Sequence, residues 1–266
     1  MTHAFFWTIV CSMVTAACFS VTATGQTRLE EGPSCSTQAS CNELGTTALR
    51  QGSPDKAIQL FEQQAGLAEL ADIERQTKSR DAVLLSPCKL ALTAHNNLSL
   101  AYSKKHDYLR ARSWALVALR CDKTNQAAQF NLRNVDRALA GWQWPETPVG
   151  EYAQYAGRGT WESIIVEPSP QGTVHFCFDG LWFGLGEGPS GLGELTATAP
   201  LHDSRAEYSS REFTQNKCLI SMHFSRDKLD VEQNGSDVDC GFGHNVSANG
   251  TFERISVSAK CTEEEK

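Results

Sequence analysis

Beyond residue 25 the chain lacks any apolar run long enough to cross a membrane, so no transmembrane segment is expected. It also lacks the Cys-x-x-Cys spacing. Ten cysteines are present and no two stand three apart, which weakens zinc and thioredoxin-like readings. Basic residues are scarce in one half: residues 141–266 hold 9 Lys+Arg against 19 Asp+Glu, whereas residues 26–140 hold 15 against 12. An acidic second half argues against nucleic acid, whose phosphates need a basic face. It serves solubility or meets a basic partner. The regular calcium-loop pattern is absent around the acid pairs Asp227/Asp230 and Asp237/Asp239. His175, His202, His223 and His244 do not share ligand spacing on a strand, and Cys240 near His244 suits a disulfide better than a nucleophile. The expectation is therefore no catalytic residue, no metal and no cofactor.

Residues 1–25 contain no Lys, Arg, Asp or Glu, and Ala4 to Ala17 is mostly apolar. With Val21-Thr22-Ala23 as a small-residue cleavage site, 1–23 reads as a signal peptide. Thr15-Ala16-Ala17-Cys18 resembles a lipoprotein box with Thr15 where Leu is usual, so a lipid anchor at Cys18 is the alternative. Export fits the eight remaining cysteines, an even number suited to disulfides. The compartment expected is a bacterial periplasm or outer-membrane surface, or the medium. Over the 266 residues, 41% apolar and 21% charged content calls for a packed core.

Ala94 to Asn125 carries two helical periods separated by a polar turn at Lys104–Asp107. Leu98, Ala101 and Tyr102 mark one face, and Ala111, Ala115, Ala118 and Leu119 the next. Small residues suit helix axes ~8–10 Å apart. With Leu98-Ser99, Tyr102, Tyr108, Ala111 and Ala118 in place, the stretch resembles a tetratricopeptide repeat; His95 stands where that family often has Trp, and Ser99 for Gly. Asn42 to Gln64 repeats the theme. Leu44-Gly45 and Ala48 precede a Gly52-Ser53-Pro54-Asp55 break, then Ala57 and Phe61, and Gly45 to Ala57 spans the same interval as Ser99 to Ala111. Leu44 and Leu98 are separated by more than the family's usual 34 residues, and the excess falls in an insertion, 66–87. The division is a linker at 24–40 and a helical domain at 41–144. That domain holds repeats near 41–65 and 92–125 and a capping helix at 126–140. An unrelated Ala-rich bundle is the plainer alternative.

A linker at 145–158 leads to a β domain at 159–262, where β-formers recur in short segments and Gly184 to Gly193 reads as a wide hairpin loop. The fold class expected is α+β: repeat-type helices, then an antiparallel β-sandwich or small barrel. Asp239-Cys240-Gly241-Phe242-Gly243-His244-Asn245-Val246, ending in Asn249-Gly250-Thr251-Phe252, resembles a C-terminal β module of exported bacterial proteins, some of which carry a domain like the lysozyme inhibitor LprI. Asn249-Gly250 reads as a hairpin turn. That module implies Cys218 paired with Cys240. Cys88 and Cys121 fall at neighbouring ends of one helical hairpin and are expected to pair. Cys177 with Cys261 and Cys35 with Cys41 then remain.

The resemblance to repeat proteins implies a non-enzymatic scaffold that binds a peptide or protein in the cell envelope. The contact positions expected are Asn42, Thr46, Arg50, His95, Ser99 and Tyr102. In the alternatives, the 66–87 insertion or the β domain fills that groove, or the acidic β domain inhibits a basic, lysozyme-like wall hydrolase.

Overall fold

A computed structural model describes residues 33–78, 88–170, 172–184, 188–258 and 260–261. The signal segment with Cys18, the linker as far as residue 32 and the end of the insertion, 79–87, lie outside the described residues. Five helices come first: α1 (Gln38–Arg50), α2 (Pro54–Lys78), α3 (Cys88–Lys104), α4 (Tyr108–Cys121) and α5 (Gln126–Leu139). Each start has a local cause. Thr37 and Ser40 form a capping box, Pro54 opens α2 where its missing N–H costs nothing, and Asp107 and Asn125 accept from Arg110 N and Ala128 N. Each described helix packs on the next along the chain.

The two helical hairpins use the same interface with different residues. A Cβ on Gly45 would lie 2.5 Å from Phe61, so only glycine fits there. At the matching place in the second hairpin stands Ser99, whose hydroxyl donates to Ala111 O at 2.8 Å. Asparagines tie the odd-numbered helices together: Asn97 Nδ2 donates to Asn42 Oδ1 at 2.8 Å, and Asn131 Nδ2 to Asn96 O at 3.0 Å.

Eight antiparallel strands follow: β1 (Gly150–Gly157), β2 (Thr160–Glu167), β3 (Thr173–Trp182), β4 (Gly191–His202), β5 (Arg205–Ser210), β6 (Cys218–Phe224), β7 (Lys228–Asn234) and β8 (Gly250–Ser256). Each pairs with its neighbour and β8 closes on β1, so the sheet is a barrel rather than a sandwich. Tyr152, Ile164, Phe176, Phe178, Ile220, Met222, Leu229 and Phe252 fill its interior, which is therefore a packed core and not a channel.

Two expectations are corrected. Residues 150–157 of the expected linker are strand β1. Its burial does not alternate cleanly, because Tyr152 points into the barrel while Ala153 is buried on the other side, against the helices. Asn249-Gly250 is not a hairpin turn. A long connection joins β7 to β8, Asn249 Oδ1 accepts from Gln233 N, and Gly250 is the first residue of β8. The bridges are Cys35–Cys41, Cys88–Cys121, Cys177–Cys261 and Cys218–Cys240, two in each half.

Candidate binding site at the helix–barrel junction

The turn between β1 and β2 lies directly on α2. Gly159 has φ +80°, and a Cβ there would sit 2.9 Å from Glu62 O; a Cβ on Gly66, in mid-helix, would sit 3.2 Å from Arg158 O. These two glycines let strand turn and helix touch backbone to backbone. The contact is then locked by Glu69, which is almost fully buried. Its Oε1 accepts from Tyr155 Oη at 2.9 Å and lies 3.4 Å from His95 Nε2, and its Oε2 accepts from Arg158 N. The His95 ring stacks on Trp114 at 5.5 Å and meets Tyr155 edge-on at 5.3 Å; Trp161 meets Trp114 edge-on at 4.9 Å.

Charge follows the same seam. Arg112 on α4 reaches Asp227 Oδ2 at 3.0 Å and Glu253 Oε2 at 3.1 Å on the barrel, besides Asp136 on α5 at 3.3 Å. Arg120 lies 3.9 Å from Glu253 Oε1, and Arg110 reaches Glu151 Oε2 at 3.3 Å. Part of the acid excess of the second half is thus answered within the chain, by α4. Burial pushes the Glu253 carboxyl above the usual range even with two arginines pulling it down.

Beside this seam the junction leaves a cavity of about 220 Å³, walled by Trp114, Trp161, Ala153 and Ile255 with Glu62, Tyr102, Arg110, Ser113, Glu151 and Ser163. Tyr102 Oη donates to Glu62 Oε1 at 3.3 Å. Burial raises Glu62, and burial together with the neighbouring Glu62 carboxylate raises Tyr102 strongly, so the phenol stays protonated.

The six expected contact residues divide. Asn42, Thr46 and Arg50 lie on the accessible side of α1. His95 and Ser99 are fully buried, which corrects their assignment to an open groove, and Tyr102 lines the junction cavity. The period of α3 was legible but its phase was not. Asn96 faces α5 and Asn97 faces α1, so the accessible stripe between them is Thr93, Leu100 and Lys104. Exposed Leu100 and Phe130, not the smaller polar residues, are the signal that sequence reasoning passed over.

The four histidines of the barrel do not gather into one ligand set, although His202 and His223 line the same open depression. His175 sits 3.7 Å from Glu167, His244 meets the Trp182 ring edge-on at 5.6 Å, and His202 and His223 are exposed. The acid pairs serve local structure: Asp239 accepts from Ser236 and Thr214, Asp237 from the amides of Val238 and Asn245, and Asp230 from Lys228 and Thr251. His175, Cys177 and Cys261 lie close enough to suggest a metal triad, but the two sulfurs are bonded to each other and offer no thiolate. No described helix is long and apolar enough to cross a membrane. Compared with protein-family models and with curated proteins, the chain matches none.

Proposed function

We propose that this is an exported, non-enzymatic binding protein whose helices, of tetratricopeptide-repeat type, hold an extended peptide on the face formed by α1, α3 and α5. The observation that carries the reading is the division of the helical layer. The barrel occupies the side of α2 and α4, with Tyr155 and Trp161 packed into the helical core. The odd-numbered helices keep accessible side chains. Leu100 is 40% exposed and Phe130 58% exposed, beside the Asn42–Asn97 and Asn96–Asn131 pairs. Apolar anchors flanked by amides suit a peptide that offers side chains and backbone groups in alternation. Exposed Arg50 and Lys104 add basic charge at the rim, which favours acidic residues in the peptide. Export is supported by the four bridges.

The test is a peptide-display screen against the full chain, followed by affinity measurement on the hits. Leu100→Glu with Phe130→Glu is expected to weaken them at least ~10-fold, or about 1.4 kcal/mol. Hits that bind the double variant as well as the parent would remove the α1/α3/α5 face from consideration. A second reading, inhibition of a basic wall hydrolase, is favoured by one feature: the outer side of β5 to β7 forms a broad open depression lined by Glu207, Asp230 and Glu232. Inhibition of a lysozyme that is lost in Glu207→Gln with Glu232→Gln would replace the first reading.

A further inference from the structure

We propose that the junction cavity is a binding site for a single alkylammonium group, the head of a lysine side chain on a protein partner. Three observations converge. The first is a balance of charge. The lining holds Glu62, Glu151 and one cation, Arg110, and that guanidinium is spent on Asp107 at 3.1 Å and Glu151 at 3.3 Å. Glu62 keeps only the Tyr102 hydroxyl on Oε1; among the described residues its Oε2 accepts nothing. Glu62 is thus the carboxylate of the lining with no ion-pair partner among the described residues.

The second is a balance of hydrogen bonds. The Tyr102 hydrogen goes to Glu62, the Ser113 hydrogen goes to Leu109 O at 3.1 Å, and Arg110 points to its two carboxylates. Among the described residues three lining groups keep lone pairs for a ligand: Glu62 Oε2, Ser113 Oγ, and a Ser163 hydroxyl free to turn. An ammonium carries three donors and no acceptor, which is the complement of that set. A guanidinium suits it less, because its planar fork asks for both oxygens of one carboxylate and Tyr102 already holds one of Glu62's.

The third is shape. Trp114 and Trp161, edge to face, form apolar walls of the about 220 Å³ space, so that an alkyl stem can be covered while the charge meets indole and carboxylate. The site lies on the α2/α4 side of the helices, away from the peptide face, and stands independently of it.

Nα-acetyl-lysine-N-methylamide is the probe, with its Nε-acetylated and arginine counterparts and n-butylammonium as comparisons, titrated into the full chain. The readout is the indole N–H resonances of Trp114 and Trp161. The expected result is a saturable shift of both by the lysine probe, none by the acetylated one, and at least ~10-fold weaker binding by the arginine probe. Glu62→Gln, which keeps the side-chain shape, should weaken the lysine probe at least ~10-fold; Ser113→Ala, a second variant that leaves Glu62 in place, should weaken it several-fold. Leu100→Glu with Phe130→Glu should change nothing here, so this proposal and the peptide face can fail separately. No saturable shift in the parent chain, or equal binding by the acetylated probe or by both variants, overturns the site. n-Butylammonium, which has the same head and stem, should shift both resonances about as well; a lysine probe that binds where n-butylammonium does not would overturn the assignment to the ammonium head.

Discussion

Tyr155, on the barrel, gives its hydroxyl hydrogen to Glu69, on α2, across 2.9 Å in a place nearly closed to water. Glu69 needs that donor, because a buried carboxylate without partners is costly. Tyr155→Phe keeps the ring against His95 and Trp114 and removes the hydroxyl, which donates to Glu69 and accepts from Gly159 N at 2.9 Å, so it should cost about 1–3 kcal/mol in urea unfolding. Gly159→Ala should cost at least as much, since it adds a Cβ at φ +80° against Glu62 O. A Tyr155→Phe chain as stable as the parent would mean that the helices and barrel do not meet as described.

Cys88→Ser with Cys121→Ser opens a loop of sequence separation 33 that joins the start of α3 to the end of α4. The loss expected is about 3–4 kcal/mol, by the chain-entropy relation for a loop of that size. Peptide mapping without reduction should recover the same four bridges; a peptide joining Cys88 to a barrel cysteine would contradict the fold.

That bridge shows what the sequence could carry. Its two cysteines stand at the ends of one helical hairpin, and local periodicity is enough to bring such ends together. The repeated interval from Gly45 to Ala57 and from Ser99 to Ala111 was legible for the same reason. β1 was not. A strand buried on one face alternates, but Tyr152 and Ala153 are both buried, one by the barrel and one by the helices, and the second covering comes from residues far away in the chain. The site was half legible for a related reason. Which stripe of α3 stays accessible depends on where α1, α5 and the barrel dock, so the periodicity gave His95 and Ser99 the same standing as Leu100.

Stability should fall as pH rises from about 4.5 to 7. Glu162 points into the barrel, accepts from Leu181 N at 3.2 Å and Gln154 Nε2 at 3.5 Å, and is pushed by burial up to about 7 from an ordinary 4.5. A carboxyl raised on folding favours the folded state fully below its unfolded value and loses that contribution as pH climbs through its folded value. The loss therefore runs from pH 4.5 to about 7, and Glu62 and Glu253, both raised by burial, act in the same direction. Asp239 opposes it on the acid side. Hydrogen bonds from Thr214 and Ser236 bring it down to about 2 from 3.8, so its contribution is present above 3.8 and lost as pH falls through about 2. The midpoint of thermal unfolding, measured from pH 3 to 9, should be highest near pH 4–5 on these groups, and Glu162→Gln should flatten the decline between pH 4.5 and 7. An unchanged slope in that variant would mean that Glu162 is solvated.

The charge seam on α4 gives the sharpest test of whether the acid excess of the barrel is internal structure or a surface for others. Arg112 meets Glu253, which is nearly buried, together with Asp227 and Asp136. Arg112→Ala leaves Glu253 with Arg120 alone, at 3.9 Å, and should cost about 3 kcal/mol, because an ion left in a dry site loses its compensation. Glu253→Gln removes the stranded charge as well. The double variant should therefore be more stable than the sum of the single losses implies, with a coupling of about 1–3 kcal/mol in the cycle. Exposed pairs give less than about 1 kcal/mol and fade with salt. A coupling that persists in high salt would identify Glu253 as part of the joint between helices and barrel. A coupling near zero would return it to the surface, and would return with it the simpler account, in which the barrel's acidity is there to meet a basic partner.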